Sequence, residues 1–160
     1  MGDDTPAAVL VPVRQGEVTE LGFVVRSPES TTHAGHVGFP GGKTEPVDES
    51  LADTARRETA EETALDRADL SLQARLDPHH TRSTGFAVTP FLATVENDGR
   101  FVPDSREVVE TFWASVPQLR AAYAMDGDRI RFPLEDGEVW GLTGRIVVTL
   151  LVTGLTARLE

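Results

Sequence analysis

Cysteine is absent from the 160 residues. That excludes a disulfide framework and any thiolate metal site, and it is compatible with a reducing compartment. Lysine is nearly absent: Lys43 is the single one, and fourteen of the 15 basic residues are arginine. Positive charge in general is short, and the formal net charge of −11 argues against general binding to nucleic acid or anionic membrane, both of which need a basic patch. Long apolar runs are missing too. The longest, "IVVTLLV" from Ile146, falls far short of the roughly 20 residues that span a bilayer as a helix. The first residues, "MGDDTPAAVL", lack the basic start and apolar core of a signal peptide, so the expected location is cytoplasmic. What remains is a chain of ordinary length, 39% hydrophobic, long enough for one domain with a real core.

Several stretches suggest secondary structure. "AAVLVPV" and "ELGFVVRS" read as strands of an opening hairpin or meander. Residues 28–50, rich in Gly, Pro, Ser and Thr, read as a long segment without regular structure, which in a compact domain is functional or disordered. "ESLADTARRETAEETAL" carries strong helix formers, with Pro46 and Asp48 at its approach. "GFAVTPFLATV" and "EVVETFWASV" read as strands, "ENDGR" as a turn, and "PQLRAAYAM" as a short helix with Pro117 in its first turn. "DRIRFPLEDGEVWGL" predicts a hairpin turning at Asp136-Gly137, and "TGRIVVTLLVTGLTARL" a closing helix. No repeat or linker interrupts this. One domain, 1–160, of α/β class with a mixed sheet between helices is expected.

The segment "RRETAEETAL" crowds three glutamates onto one helix. At about 100° per residue, Glu58 and Glu62 fall within roughly 20° of Leu51 and continue its apolar stripe with Ala55 and Leu65. Glu61 sits at the stripe's edge, and Arg57 lies four residues before it. A solvated face is the ordinary explanation for acidic runs. Two carboxylates on an inward stripe, however, would repel and lose hydration unless a proton, an arginine or a cation compensates. Oxygen ligands of this kind suit Mg²⁺ or Mn²⁺. Directly upstream, "GFPGG" offers backbone groups unobstructed by a Cβ. A glycine loop feeding a carboxylate-bearing helix is the combination expected of a metal–diphosphate site.

These residues resemble the Nudix hydrolase box, GX5EX7REUXEEXGU, in which U is a bulky aliphatic. Glu49, Arg57, Glu58, Glu61, Glu62 and Leu65 are in register; Lys43, Thr59 and Ala64 depart from it. Upstream, "FVVRSPESTTHAGHVGFPGG" is similar to the coenzyme A diphosphatase motif LLTXR(S/A)X3RX3GX3FPGG. It supplies Arg26, Ser27, Gly35, Phe39, Pro40, Gly41 and Gly42, with Thr31 where the motif has its second arginine. "STGFAVTPFLATV" and "VWGLTGRIV" also look like that branch.

The resemblance implies an α/β/α sandwich whose mixed central sheet carries the box as loop–helix–loop. It implies metal-dependent hydrolysis of a nucleoside diphosphate derivative, with coenzyme A giving 3′,5′-ADP and 4′-phosphopantetheine. ADP-ribose, another nucleoside diphosphate conjugate or non-catalytic nucleotide sensing are the alternatives. Glu58, Glu61 and Glu62 would bind metal, with the Gly42 carbonyl beside them. Arg57 and Glu49 would pair to pin the loop to the helix. Glu58 would act as base, with Glu107 and Glu110 as rivals outside the box. Arg26, Arg82, Gly41, Gly42 and either Phe39 or Phe86 are the candidates to meet a small nucleotide-type substrate, although core packing is the commoner role for a phenylalanine. His79 and His80 read as loop residues. A homodimer is left open.

Overall fold

The computed structural model describes residues 4–29, 35–81, 85–96 and 100–156. In chain order the elements are β1 (Thr5–Gln15), β2 (Thr19–Arg26), β3 (Val37–Gly38), β4 (Gly41–Lys43), α1 (Leu51–Glu62), β5 (Leu70–Arg75), β6 (His79–Thr81), β7 (Phe86–Val95), β8 (Val108–Ser115), α2 (Val116–Ala122), β9 (Ala124–Asp126), β10 (Arg129–Leu134), β11 (Gly137–Trp140) and α3 (Gly141–Thr153).

β1 organises the sheet. It pairs antiparallel with β2 through the expected hairpin, Val13 opposite Leu21. On its other side it pairs in parallel with β7, from Thr5 opposite Phe86 to Val13 opposite Thr94. β3 and β8 add to β2, β4 to β1, and β5 and β6 to β7, all antiparallel. Successive side chains of a strand point to opposite faces, and β1 uses both. Ala8 and Leu10 join α1's Ala55 and β7's Phe91 in one cluster. Val11 and Val13 join Phe23 and α3's Ile146, Val147 and Leu150 in the other. Covering on both faces is why "AAVLVPV" is nearly continuous in apolar residues rather than alternating. Each fully buried aliphatic here contributes about 1.5–3 kcal/mol. The result is the expected α/β/α arrangement around a mixed sheet, with a small sheet ordered β11-β10-β9 beside it.

Helix ends follow local chemistry. The Ser50 side chain accepts the Asp53 N–H at 3.1 Å and caps α1. Thr63 stops it in extended geometry, its hydroxyl donating to the Thr59 carbonyl at 2.7 Å, so the helix ends at Glu62 rather than running on to Leu65. Ser115 and Gln118 form a reciprocal capping box on α2. Gly154, at φ 66°, takes the left-handed position that closes α3. No helix among the described residues is long and apolar enough to cross a membrane.

Some expectations need correction. The segment 28–50 contains β3 and β4, short strands held by β2 and β1 rather than by their own propensity. β5 and β6 were not foreseen, so His79 and His80 lie in a strand, not a loop. The late hairpin pairs Leu134 with Gly137 and turns at Glu135–Asp136, one residue earlier than expected. The expected turn at "ENDGR" falls largely on 97–99, outside the described residues.

Candidate functional site

The inward face of α1 carries the site. Ala55, Thr59 and Glu62 are buried along it, and Glu62 is only 1% exposed. Its Oε1 accepts from Arg26 Nη1 at 3.0 Å, and its Oε2 from the Gly41 N–H at 3.1 Å. Arg26, at the end of β2, thereby reaches across to the helix.

The two glycines of "FPGG" are there for close approach. A Cβ on Gly41 would collide with the Ala8 carbonyl and lie 2.6 Å from Val9 Cα, against the neighbouring strand. A Cβ on Gly42 would lie 2.7 Å from Glu58 Cδ. Those distances are too short for any side chain. Strand β4 can therefore lie flat on β1, and the Glu58 carboxyl rests directly on its backbone.

Glu58 and Glu62, one turn apart on α1, are close enough for each carboxyl to shift the other's protonation. Burial pushes both above the ordinary carboxylate range. At Glu62 the Arg26 guanidinium opposes that rise while neighbouring Glu58 adds to it; at Glu58 neighbouring Glu62 and the charge of Arg57 oppose it. Two ionised carboxylates in contact away from water are costly, so the pair retains a proton where isolated glutamates would not. An all-oxygen set strained in this way fits a hard divalent cation, whose charge would replace the shared proton.

The third glutamate is not gathered with them. Glu61 has a side chain 57% exposed and is held by Arg57 Nη1 at 3.2 Å. Among the described residues no three Asp, Glu, His or Cys side chains form a group that could hold a metal ion. The expected trio is thus a buried pair with a neighbour parked on an arginine.

Arg57 itself corrects a further expectation. Its partner is Asp48, not Glu49, which is exposed on the loop. Asp48 Oδ1 takes Arg57 Nε at 2.8 Å and Oδ2 takes Nη2 at 2.9 Å, a two-pronged geometry. The Thr54 hydroxyl and the Glu45 N–H also donate to Asp48. The Arg57 guanidinium accordingly holds the Asp48 carboxyl well below the usual range, and Asp48 raises Arg57 in return. Arg57 donates as well to the Lys43 carbonyl at 3.2 Å and to Glu58 at 3.1 Å. The loop is pinned to the helix as expected, by the residue one position earlier.

Glu58, Gly41, Gly42 and Arg26 line a cleft of about 1000 Å³, within the range of small-molecule sites. Phe39, expected among the substrate contacts, also lines the cleft, although it is only 3% exposed and its ring stacks on Phe23 in the core at 4.9 Å between centroids. Phe86 and Glu107 line the cleft, and Glu110 does not. Thr31 and Arg82 lie outside the described residues. Sequence reasoning missed His36, Trp140, Thr143 and Arg145, which also line the cleft. The His36 and Trp140 rings meet edge-on at 4.9 Å. "VWGLTGRIV" held three of the four, but without the fold nothing linked the start of α3 to a loop a hundred residues earlier.

Comparison with known proteins agrees with this picture. The model of the NUDIX domain family matches residues 4–133. The chain is 35% identical to "Uncharacterized Nudix hydrolase NudL" from Yersinia enterocolitica over 153 residues, covering 88% of this chain and 77% of that one. It is 34% identical to the protein of the same name from Pectobacterium atrosepticum, covering 88% and 78%. Among solved structures, the Nudix hydrolase RenU from M. smegmatis superposes with a TM-score of 0.67 at 18% identity, covering 100% of this chain and 90% of RenU. The NUDIX domain of Shewanella oneidensis NrtR, complexed with ADP ribose, superposes at 0.63 and 16% identity, covering 100% and 91%.

Proposed function

Because the chain belongs to the Nudix family, we propose that this hydrolase of nucleoside diphosphate derivatives acts on coenzyme A or its thioesters, releasing 3′,5′-ADP and 4′-phosphopantetheine. The observation that carries this reading is where the upstream motif meets the box. Arg26 and Gly41, both in the run similar to coenzyme A diphosphatases, bind the two oxygens of the box residue Glu62.

In the reaction, water adds to one phosphorus, the bridging P–O bond breaks, and the bridging oxygen leaves with the other phosphate. Glu58 and Glu62, with Glu61 and the Gly42 carbonyl, would hold Mg²⁺ or Mn²⁺, which when bound would neutralise phosphate charge and acidify water. Arg26 fixes the Glu62 carboxylate, and Arg57 fixes the β4–α1 loop through Asp48 and the Lys43 carbonyl. In this reading Glu58 takes the proton of the attacking water, supported by its position on the cleft wall, and Glu107, on the same wall, is its rival. Positioning and charge stabilisation supply most of the rate.

ADP-ribose, the ligand named in the NrtR complex, is the alternative. Incubation with coenzyme A, ADP-ribose and NADH, with and without Mn²⁺, separates the readings by product mass. Coenzyme A should yield 3′,5′-ADP and 4′-phosphopantetheine only with the metal. Cleavage of ADP-ribose alone would replace coenzyme A as substrate, and binding without turnover would make the domain a sensor.

A further inference from the structure

Arg145, in the second turn of α3, lines the cleft from the wall opposite α1's sheet face. Other arginines nearby are engaged: Arg26 with Glu62, Arg57 with Asp48, Arg131 with Glu138. Among the described residues, the Arg145 side chain has no hydrogen bond and no ion pair, and the titratable group it acts on is His79, which burial and then the Arg145 charge push toward the neutral form. His80 on the same edge is already paired with Asp4 at 2.6 Å. Acidic residues outnumber basic ones by 26 to 15, so counter-ions are plentiful, yet among the described residues none, Glu58 and Glu107 on the same cleft included, forms an ion pair with this guanidinium. A guanidinium is the side chain best matched to a phosphate, through parallel N–H donors.

Glu58 and Arg145 line one cleft from helices on opposite faces of the sheet. A diphosphate drawn to Glu58 and Gly42 leaves Arg145 for a different anionic group. We propose that Arg145 is a specificity residue that receives a phosphomonoester carried by the substrate in addition to its diphosphate. The substrate class is then 3′-phosphorylated adenosine diphosphate derivatives rather than simple ones. This rests on the coenzyme A reading, and the test separates the two.

Calorimetric affinities for 3′,5′-ADP and for 5′-AMP are measured on the wild type, Arg145→Ala and Arg145→Lys. The wild type should bind 3′,5′-ADP about tenfold more tightly, as one charge-assisted contact predicts. Arg145→Ala should abolish that preference by weakening 3′,5′-ADP alone, and Arg145→Lys should keep part of it. In Mn²⁺ turnover, Arg145→Ala should raise KM for coenzyme A about tenfold with kcat unchanged, and leave dephospho-coenzyme A unaffected. A wild type without preference, or a preference untouched by Arg145→Ala, overturns the proposal, as does equal weakening of both ligands. A wild type that prefers 3′,5′-ADP through Arg145 but never cleaves coenzyme A upholds the role of Arg145 and refutes the coenzyme A reading.

Discussion

Two carboxylate–arginine systems lie on one short helix and behave oppositely. On the outer side of α1, Asp48 and Arg57 meet through two parallel hydrogen bonds, and Thr54 and a backbone N–H complete the acceptor's shell. Their charges match and each holds the other ionised. On the inner side, burial pushes Glu58 and Glu62 toward the neutral form, and neither Arg26 beside Glu62 nor the single contact of Arg57 with Glu58 offsets it. The first arrangement is complete and holds shape. The second is short of positive charge in a buried place, and a fold keeps such strain where a ligand relieves it.

Substitutions that exchange the character of the two sides test this contrast. The largest effect is expected at Glu62→Gln, which should fold normally yet lose about 10³-fold or more of metal-dependent hydrolysis; steady-state rates with a thermal melt measure both. Retained turnover would make the inner pair ornamental. Next is Asp48→Asn, which removes the charge of Arg57's two-pronged partner while Glu58, Glu61 and the Lys43 carbonyl remain, and should cost about 1–2 kcal/mol in urea unfolding. The exposed Glu49→Gln should stay within about 0.5 kcal/mol. The reverse ranking would restore Glu49 as the pin. Gly42→Ala should displace the Glu58 carboxyl and cut activity about tenfold, with a higher metal requirement and a near-normal melt.

The smallest effect is in pH dependence. The inner pair is raised by burial, so metal-free stability is fullest below the ordinary glutamate range and declines as pH climbs through the raised value. Asp48 is lowered, so its contribution is present above the ordinary aspartate range and is lost as pH falls toward its depressed value. Melts of the metal-free protein should show the alkaline-side decline in the wild type and a flatter profile in Glu62→Gln.

The inner face was legible in the sequence because a helix has a fixed period. Counting from Leu51 was enough to turn Glu58 and Glu62 inward and leave Glu61 at the edge. The opening hairpin and both long helices were legible for the same reason, since their patterns are local. Asp48 was missed because a loop has no period: adjacent acids look alike until the turn aims one of them, here through the Glu45 N–H and Thr54. β3 through β6, and β9 where the expected short helix stops at Ala122, were missed because short strands are made by the neighbour they pair with. Phe39 shows the same limit, since only the packed sheet reveals that its ring stacks on Phe23.

A divalent cation should displace the proton that burial keeps on the Glu58 and Glu62 carboxyls. Titration of the metal-free protein with Mn²⁺ near neutral pH, in buffers of different ionisation enthalpy, counts protons released on binding. About one proton per cation is expected, with that release lost in Glu62→Gln. Tight binding that liberates no proton in the wild type would contradict it.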